Sequence, residues 1–287
     1  MRTVRLIRLG APGSERPHLL LDDDRVIDVT ADVGDFGPAF FAGDGLGRLR
    51  SIAAERAGSA IPRPAGRIGS PVARPGTIVC IGLNYADHAR ESGAPVPTEP
   101  VVFFKATNTL VGPNDDVRIP RTSTKTDWEV ELAIVVGRTC RYLETDDEAR
   151  AAIAGYMVSH DVSEREFQLE RGGQWVKGKS CETFNPAGPW LVTADAVADP
   201  GELDLWLDVN GQRRQTGSTR TMVFDVVTIV RYLSQFMVLE PGDIINTGTP
   251  PGVALGRPDK PYLRAGDVVE LGISGLGSQR QRFVAAP

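Results

Sequence analysis

The sequence predicts a β-rich α+β fold, with a small N-terminal β domain (residues 1–70) ahead of a larger body (71–287). Three observations predict it. Short apolar runs with strand periodicity recur along the whole chain, helical patterns are few and scattered, and the regular strand–helix alternation of a doubly wound sheet or TIM barrel is missing.

Taken in order, Val4–Leu9, His18–Leu21 and Arg25–Val29 read as short strands, with Asp22-Asp23-Asp24 as the turn between the last two. A helical segment is expected over Pro38–Ala57. The Pro- and Gly-rich stretch Pro62–Gly76 reads as a linker. The main body opens with a strand at Thr77–Gly82. Further strands are expected at Val101–Phe104, Glu129–Val136, Gly155–His160, Trp190–Val192, Leu203–Val209, Asp243–Asn246 and Val268–Ile273. Helices are expected at Tyr85–Ser92, Glu144–Ala154, Ser163–Glu170 and Val223–Phe236.

The bulk numbers narrow the function classes. A net charge of −5 leaves no basic block to neutralise phosphates, which argues against nucleic acid as the main partner. No apolar stretch reaches the length of a membrane span, and the N-terminus lacks the apolar core of a signal peptide. Cys80, Cys140 and Cys181 are widely spaced and form no CxxC pair, which suits a reducing, cytoplasmic setting and no cysteine-rich zinc site.

The chemistry concentrates in Trp128–Gly137. Glu129 and Glu131 are two apart in a strand, so they share a face with Cα atoms roughly 7 Å apart. Two like charges at about 4 Å repel by about 4 kcal/mol at an effective dielectric near 20. A cation or a shared proton removes that cost; a solvated strand face avoids it. Asp161 follows thirty residues after Glu131, either as the N-cap of the Ser163–Glu170 helix or as a third carboxylate. In the second case the set is all oxygen and suits Mg²⁺ or Mn²⁺. Arg165 lies one helical turn beyond Asp161, and Lys179 sits in a polar loop; each is either a counter-charge for an anionic substrate or a solvated surface cation.

His88 and Glu91, spaced i, i+3, are neighbours on a helix and form the best acid–base pair. His160 is expected to point away from Asp161. The loop Thr247–Val253 combines glycines that allow close backbone approach with the Thr249 hydroxyl, or is a plain turn. Cys181 has no histidine close in sequence to activate it and reads as a packing residue.

In order along the chain, Gly82-Leu83-Asn84-Tyr85 through His88 and Glu91, Phe104-Lys105, Glu129-x-Glu131, Asp161, Arg165, Gln168, Gln174-Trp175, Lys179, Thr183-Phe184, Gly188-Pro189, Pro241-Gly242-Asp243 and Thr247–Val253 resemble the fumarylacetoacetate hydrolase superfamily. The resemblance covers about residues 75–275. It implies a mixed β-roll catalytic domain, usually homodimeric, with Mg²⁺ or Mn²⁺ held by Glu129, Glu131 and Asp161. The implied reaction is carbon–carbon bond hydrolysis of a 2,4-diketo acid, an acylpyruvate or a deoxy-diketo sugar acid, with release of a pyruvate-type product. His88, Glu91 and Lys179 would carry the catalysis, and Lys105, Arg165, Gln168 and Thr249 would position the small anionic keto acid. Having both His88 and Glu91 favours hydrolase or decarboxylase over isomerase chemistry. The alternatives are a decarboxylase or isomerase on the same fold, a lyase using Lys179 as a Schiff base, and a cation-binding structural module.

Overall fold

The computed structural model describes residues 4–91 and 95–287, apart from the side chains of His88 and Ala89. The fold is mixed and sheet-rich, and neither large sheet closes into a barrel. The larger sheet has eleven strands. Its path runs from Ile61–Pro62 through Arg25–Asp28, Arg16–Leu20, Arg5–Leu9, Leu191–Thr193, Ile153–His160, Val130–Val136, Ile244–Asn246 and Ile78–Gly82 to Val101–Lys105. The N-terminal hairpins join it because Arg5 and Leu6 pair with Val192 and Leu191, so one sheet runs from the N-terminal strands into the main body. A five-stranded sheet packs against it, ordered Gln212–Ser218, Asp204–Val209, Val268–Ile273, Gly277–Ala285 and Val117–Ile119.

The strand Val130–Val136 lies near the middle of the larger sheet, and all seven of its residues are buried. Val130, Leu132, Ile134 and Val136 face the five-stranded sheet, in one cluster with Leu207, Leu271 and Phe283. Ala133 and Val135 face the other way, into a second core with Phe36 and with Phe41, Leu49 and Ile52 from the N-terminal helices. A period of two therefore separates the faces, and continuing it backwards assigns Glu131 and Glu129 to the Ala133 side. Truncating the first core is costly. Ile134→Ala is expected to destabilise the chain by about 2–5 kcal/mol, read by denaturant unfolding.

Several sequence expectations change in the structure. The helical segment expected over 38–57 divides into Pro38–Ala42 and Gly45–Arg56, because Gly43 leaves the first helix in an extended conformation. The helix expected over 144–154 stops at Ala152, and Ile153 opens the next strand. That helix keeps a capping box between Thr145 and Glu148. The helix expected over 163–170 loses its start: Ser163 and Glu164 pair antiparallel with Asp127 and Thr126, and a short π-helix, Glu166–Glu170, follows. Asp161 accordingly caps no helix. The helix expected at 85–92 spans Ala86–Glu91, and Ser92 lies outside the described residues. Among the described residues no helix is long and apolar enough to cross a membrane.

Candidate metal centre and its pocket

Three carboxylates meet because two antiparallel strands deliver them together. Val130 pairs with His160 and Glu131 with Ser159. One step beyond, the Asp161 N–H donates to the Glu129 carbonyl at 3.0 Å, so Glu129 and Asp161 are cross-strand neighbours. Glu129, Glu131 and Asp161 are 4%, 2% and 0% exposed, and one ligand oxygen from each lies within 4.8 Å of the others. Burial of this depth excludes the solvated strand face. The donor set is wholly carboxylate, which fits a hard divalent cation such as Mg²⁺ or Mn²⁺.

Buried cations surround the triad. Lys179 Nζ donates to Glu129 at 2.7 Å and to Asp161 at 2.8 Å, and Lys105 Nζ donates to the other Asp161 oxygen at 2.5 Å and to the Val162 carbonyl. Arg165 spends its three nitrogens on Asp127 (2.8 Å), Gln168 (2.9 Å) and Glu129 (2.6 Å). Arg165 and Lys179 are therefore no solvated surface charges. Arg165 reaches the cluster from the residue after a short strand, not from a helical turn shared with Asp161. Lys179 sits at the end of the short helix Val176–Lys179, not in a loop.

Titration follows this arrangement. Burial pushes the Glu131 carboxyl well above the usual carboxylate range, and the charges of Asp161 and Glu129 push the same way. Burial works against the charge on Lys179, but Asp161 and Glu129 outweigh it and hold the ammonium above its ordinary value. A charged amine is a poor Schiff-base nucleophile.

The loop after Ile244–Asn246 closes the site from one side. Gly248 N–H donates to Glu131 at 2.8 Å, and Gly248 has φ +97°. A Cβ there would lie 2.8 Å from the Asn84 Cβ and 3.1 Å from the Ile81 carbonyl. Gly248→Ala is expected to cost about 1–3 kcal/mol in thermal unfolding and to weaken divalent-ion binding, because the N–H that aims Glu131 shifts. Thr249 donates its hydroxyl proton to the Val130 carbonyl and accepts from Gln215 Nε2, so it stands in the wall with its proton committed. Glu91 accepts from Gly252 N–H at 2.9 Å, which ties its short helix to the same loop. The side chain of His88 lies outside the described residues. His160 turns away from Asp161, with Nδ1 3.0 Å from Gln281 Oε1.

A cavity of about 190 Å³ opens over Glu129 and Glu131. Glu129, Glu131, Arg165, Gln168, Lys179 and Thr249 line its polar end, and Leu83, Phe103, Leu169, Trp175 and Leu255 line the remainder. Two supporting residues escaped the sequence reading. Asp127 accepts from Arg165 and from the Ala254 and Leu255 N–H groups, and it extends the same two-residue period as Glu129 and Glu131. Gln215 bridges Val130 N–H, Thr249 and the Pro250 carbonyl from a strand with no apolar pattern to announce it.

Cys181 is half-buried at the edge of the main core, and burial pushes its thiol up to about 11. It is a thiol, not a thiolate, at neutral pH. Cys181→Ser is expected to keep kcat within about threefold of wild type, as surface-edge substitutions away from the chemistry do.

The family model for the C-terminal domain of fumarylacetoacetate hydrolase matches residues 77–284. The chain belongs to the fumarylacetoacetate hydrolase family. A protein of Burkholderia multivorans that bears only the provisional name of hydrolase is 54% identical, covering 99% of this chain and all of that one. Among solved structures, a fumarylacetoacetate hydrolase from Exiguobacterium antarcticum is similar at 34% identity and TM-score 0.83, over 99% of this chain and 100% of that chain. The maleylpyruvate hydrolase of Sphingobium sp. SYK-6, in complex with manganese(II) and pyruvate, is similar at 29% identity and TM-score 0.81, again over 99% and 100%. A 2-hydroxyhepta-2,4-diene-1,7-dioate isomerase from Mycobacterium marinum is similar at 31% identity and TM-score 0.73, over 98% of each chain. Family membership thus spans hydrolases and isomerases.

Proposed function

We propose that this chain is a divalent-metal-dependent hydrolase that cleaves the carbon–carbon bond of a 2,4-diketo acid and releases pyruvate. The observation that carries the reading is the convergence of Glu129, Glu131 and Asp161 with Arg165 and Lys179 beside one cavity. The manganese and pyruvate in the maleylpyruvate hydrolase complex support it by likeness. Glu129, Glu131 and Asp161 would hold Mg²⁺ or Mn²⁺. When bound, the ion supplies a Lewis acid and a positive charge at that point.

The rest of the chemistry falls to the chain. Asp127, Glu129, Glu131 and Asp161 face Lys105, Arg165 and Lys179, four carboxylates against three cations. With a divalent ion added, that balance favours one incoming carboxylate. Gln168 spends its carbonyl oxygen on Arg165 and has its amide nitrogen to offer a ligand. His88, oriented by Glu91, takes a proton from water, which adds to the carbonyl distal to the substrate carboxylate. The bond between that carbon and the methylene then breaks. The acyl part leaves as a carboxylic acid, and the pyruvate part leaves as an enolate that takes a proton at carbon. Negative charge developing on the enolate oxygen faces the Lys179 ammonium.

The test is a panel of 2,4-diketo acids assayed with Mg²⁺ and Mn²⁺ and followed for pyruvate. His88→Ala is expected to lower kcat by about 10²–10⁴-fold with KM little changed. Unchanged turnover in that variant would remove His88 from the chemistry, whereas no turnover of any keto acid by the wild-type protein would favour a cation-binding module. The isomerase likeness keeps a second reading in view. Product analysis with oxaloacetate and a heptadienedioate decides it: decarboxylation or double-bond migration without pyruvate from any acylpyruvate would replace the hydrolase reading. A homodimer belongs to the same proposal and is checked by light scattering.

A further inference from the structure

We infer that the substrate carries a single carboxylate and an uncharged acyl tail, so that dicarboxylic keto acids are discriminated against. The inference deepens the proposed function and rests on it. Apart from its polar side chains and two glycines, the cavity is lined by Ile81, Leu83, Phe103, Leu169, Trp175 and Leu255. Trp175 is held across this space by an edge-on contact to Phe103, with ring centroids 5.4 Å apart. It also presses on Gly82, where a Cβ would lie 2.5 Å from the indole ring. That glycine is therefore a condition of the aromatic wall.

Among the described residues lining the cavity, Arg165 and Lys179 are the only cations, and both are engaged at its polar end. Arg165 has all three nitrogens bonded to Asp127, Gln168 and Glu129, and Lys179 is shared between Glu129 and Asp161. A second carboxylate extending from the triad would meet leucine and aromatic faces. Losing its hydration there without a hydrogen-bonded partner is unfavourable. A methyl or short alkyl tail meets the same wall at no such cost. A site that leaves one charged group unpaired discriminates far more strongly than one that differs by a methylene.

The matched probes are 2-oxohexanoate and 2-oxoadipate, which differ in a terminal methyl against a terminal carboxylate and lack the bond to be hydrolysed. Their Kd values, measured by calorimetry on the manganese-loaded protein, are expected to favour 2-oxohexanoate by at least about tenfold. Leu169→Arg, at the half-exposed rim, is expected to bring the 2-oxoadipate Kd to or below that of 2-oxohexanoate. Equal affinities in the wild-type protein, or a preference for 2-oxoadipate, would overturn the inference while pyruvate release from diketo acids leaves the hydrolase reading standing. Failure of both acids to bind at millimolar concentration, together with no pyruvate from any diketo acid, overturns the two together.

Discussion

Glu131→Gln is expected to lower Mn²⁺ affinity by at least about 100-fold and kcat/KM by a similar or larger factor. Substitutions merely around a metal ligand already cost about 10–100-fold. The amide keeps an oxygen for the Gly248 N–H but removes a charge from a site where three carboxylate oxygens lie within 4.8 Å of one another. In the metal-free protein, that removal relieves repulsion from Asp161 and Glu129. Thermal unfolding of the metal-free variant should therefore occur at or above the wild-type temperature, while the stabilisation that Mn²⁺ gives the wild type disappears. Opposite signs in the two readouts separate a lost ligand from a damaged fold. A variant that binds Mn²⁺ as wild type does would remove Glu131 from the metal site.

Arg165→Ala is expected to be the most destabilising change in the site, by about 3–5 kcal/mol, because Asp127 stays buried without its counter-charge and Glu129 keeps only Lys179. Denaturant unfolding of the metal-free protein reads this directly. Arg165→Lys should recover only part of it. A lysine is a single point charge, whereas the guanidinium reaches Asp127, Gln168 and Glu129 in one plane. If alanine at 165 cost under 1 kcal/mol, the ion network would be a solvated surface feature, contrary to its burial. Added Mn²⁺ should not rescue the variant to wild-type stability, since Asp127 contributes no oxygen to the triad.

How much of this was legible in the sequence depended on whether a local pattern and the tertiary structure agreed. Glu129 and Glu131 announced themselves by period two inside an apolar strand, and the strand kept its faces. The same period extends to Asp127, but Asp127 lies in the separate short strand Thr126–Asp127, outside the apolar run that marks Glu129 and Glu131. Asp161 was legible as a third carboxylate, and of its two readings only the helix N-cap fails in the structure. Ser163–Glu170 has the composition of a helix, yet backbone pairing of Ser163 and Glu164 with Asp127 and Thr126 overrides that propensity. The pairing also explains why Arg165 reaches Glu129 from the start of the π-helix rather than from a helical turn shared with Asp161.

Gln212–Ser218 was invisible by hydrophobic alternation, since its residues are mostly polar. A turn signal was nonetheless present. Asn210-Gly211, both at positive φ, join Val209 to Gln212 in a two-residue hairpin loop, and that hairpin carries Gln215 to the Thr249 wall. Lys105 and Gln168 show the limit of local reading. Neither sits in a pattern that separates it from a surface residue, and only the fold brings Lys105 onto Asp161 and Gln168 onto Arg165.

If one divalent ion held by Glu129, Glu131 and Asp161 makes this chain a diketo-acid hydrolase, its activity must follow the bound ion. Titrating Mn²⁺ into chelator-stripped protein, with bound Mn²⁺ read by electron paramagnetic resonance and pyruvate release read in the same samples, tests it most directly. Pyruvate release should be absent in the stripped protein and rise in proportion to bound ion, reaching its plateau at one Mn²⁺ per chain. Full pyruvate release from stripped protein, or binding at one ion per chain with no activity on any 2,4-diketo acid, would contradict the claim.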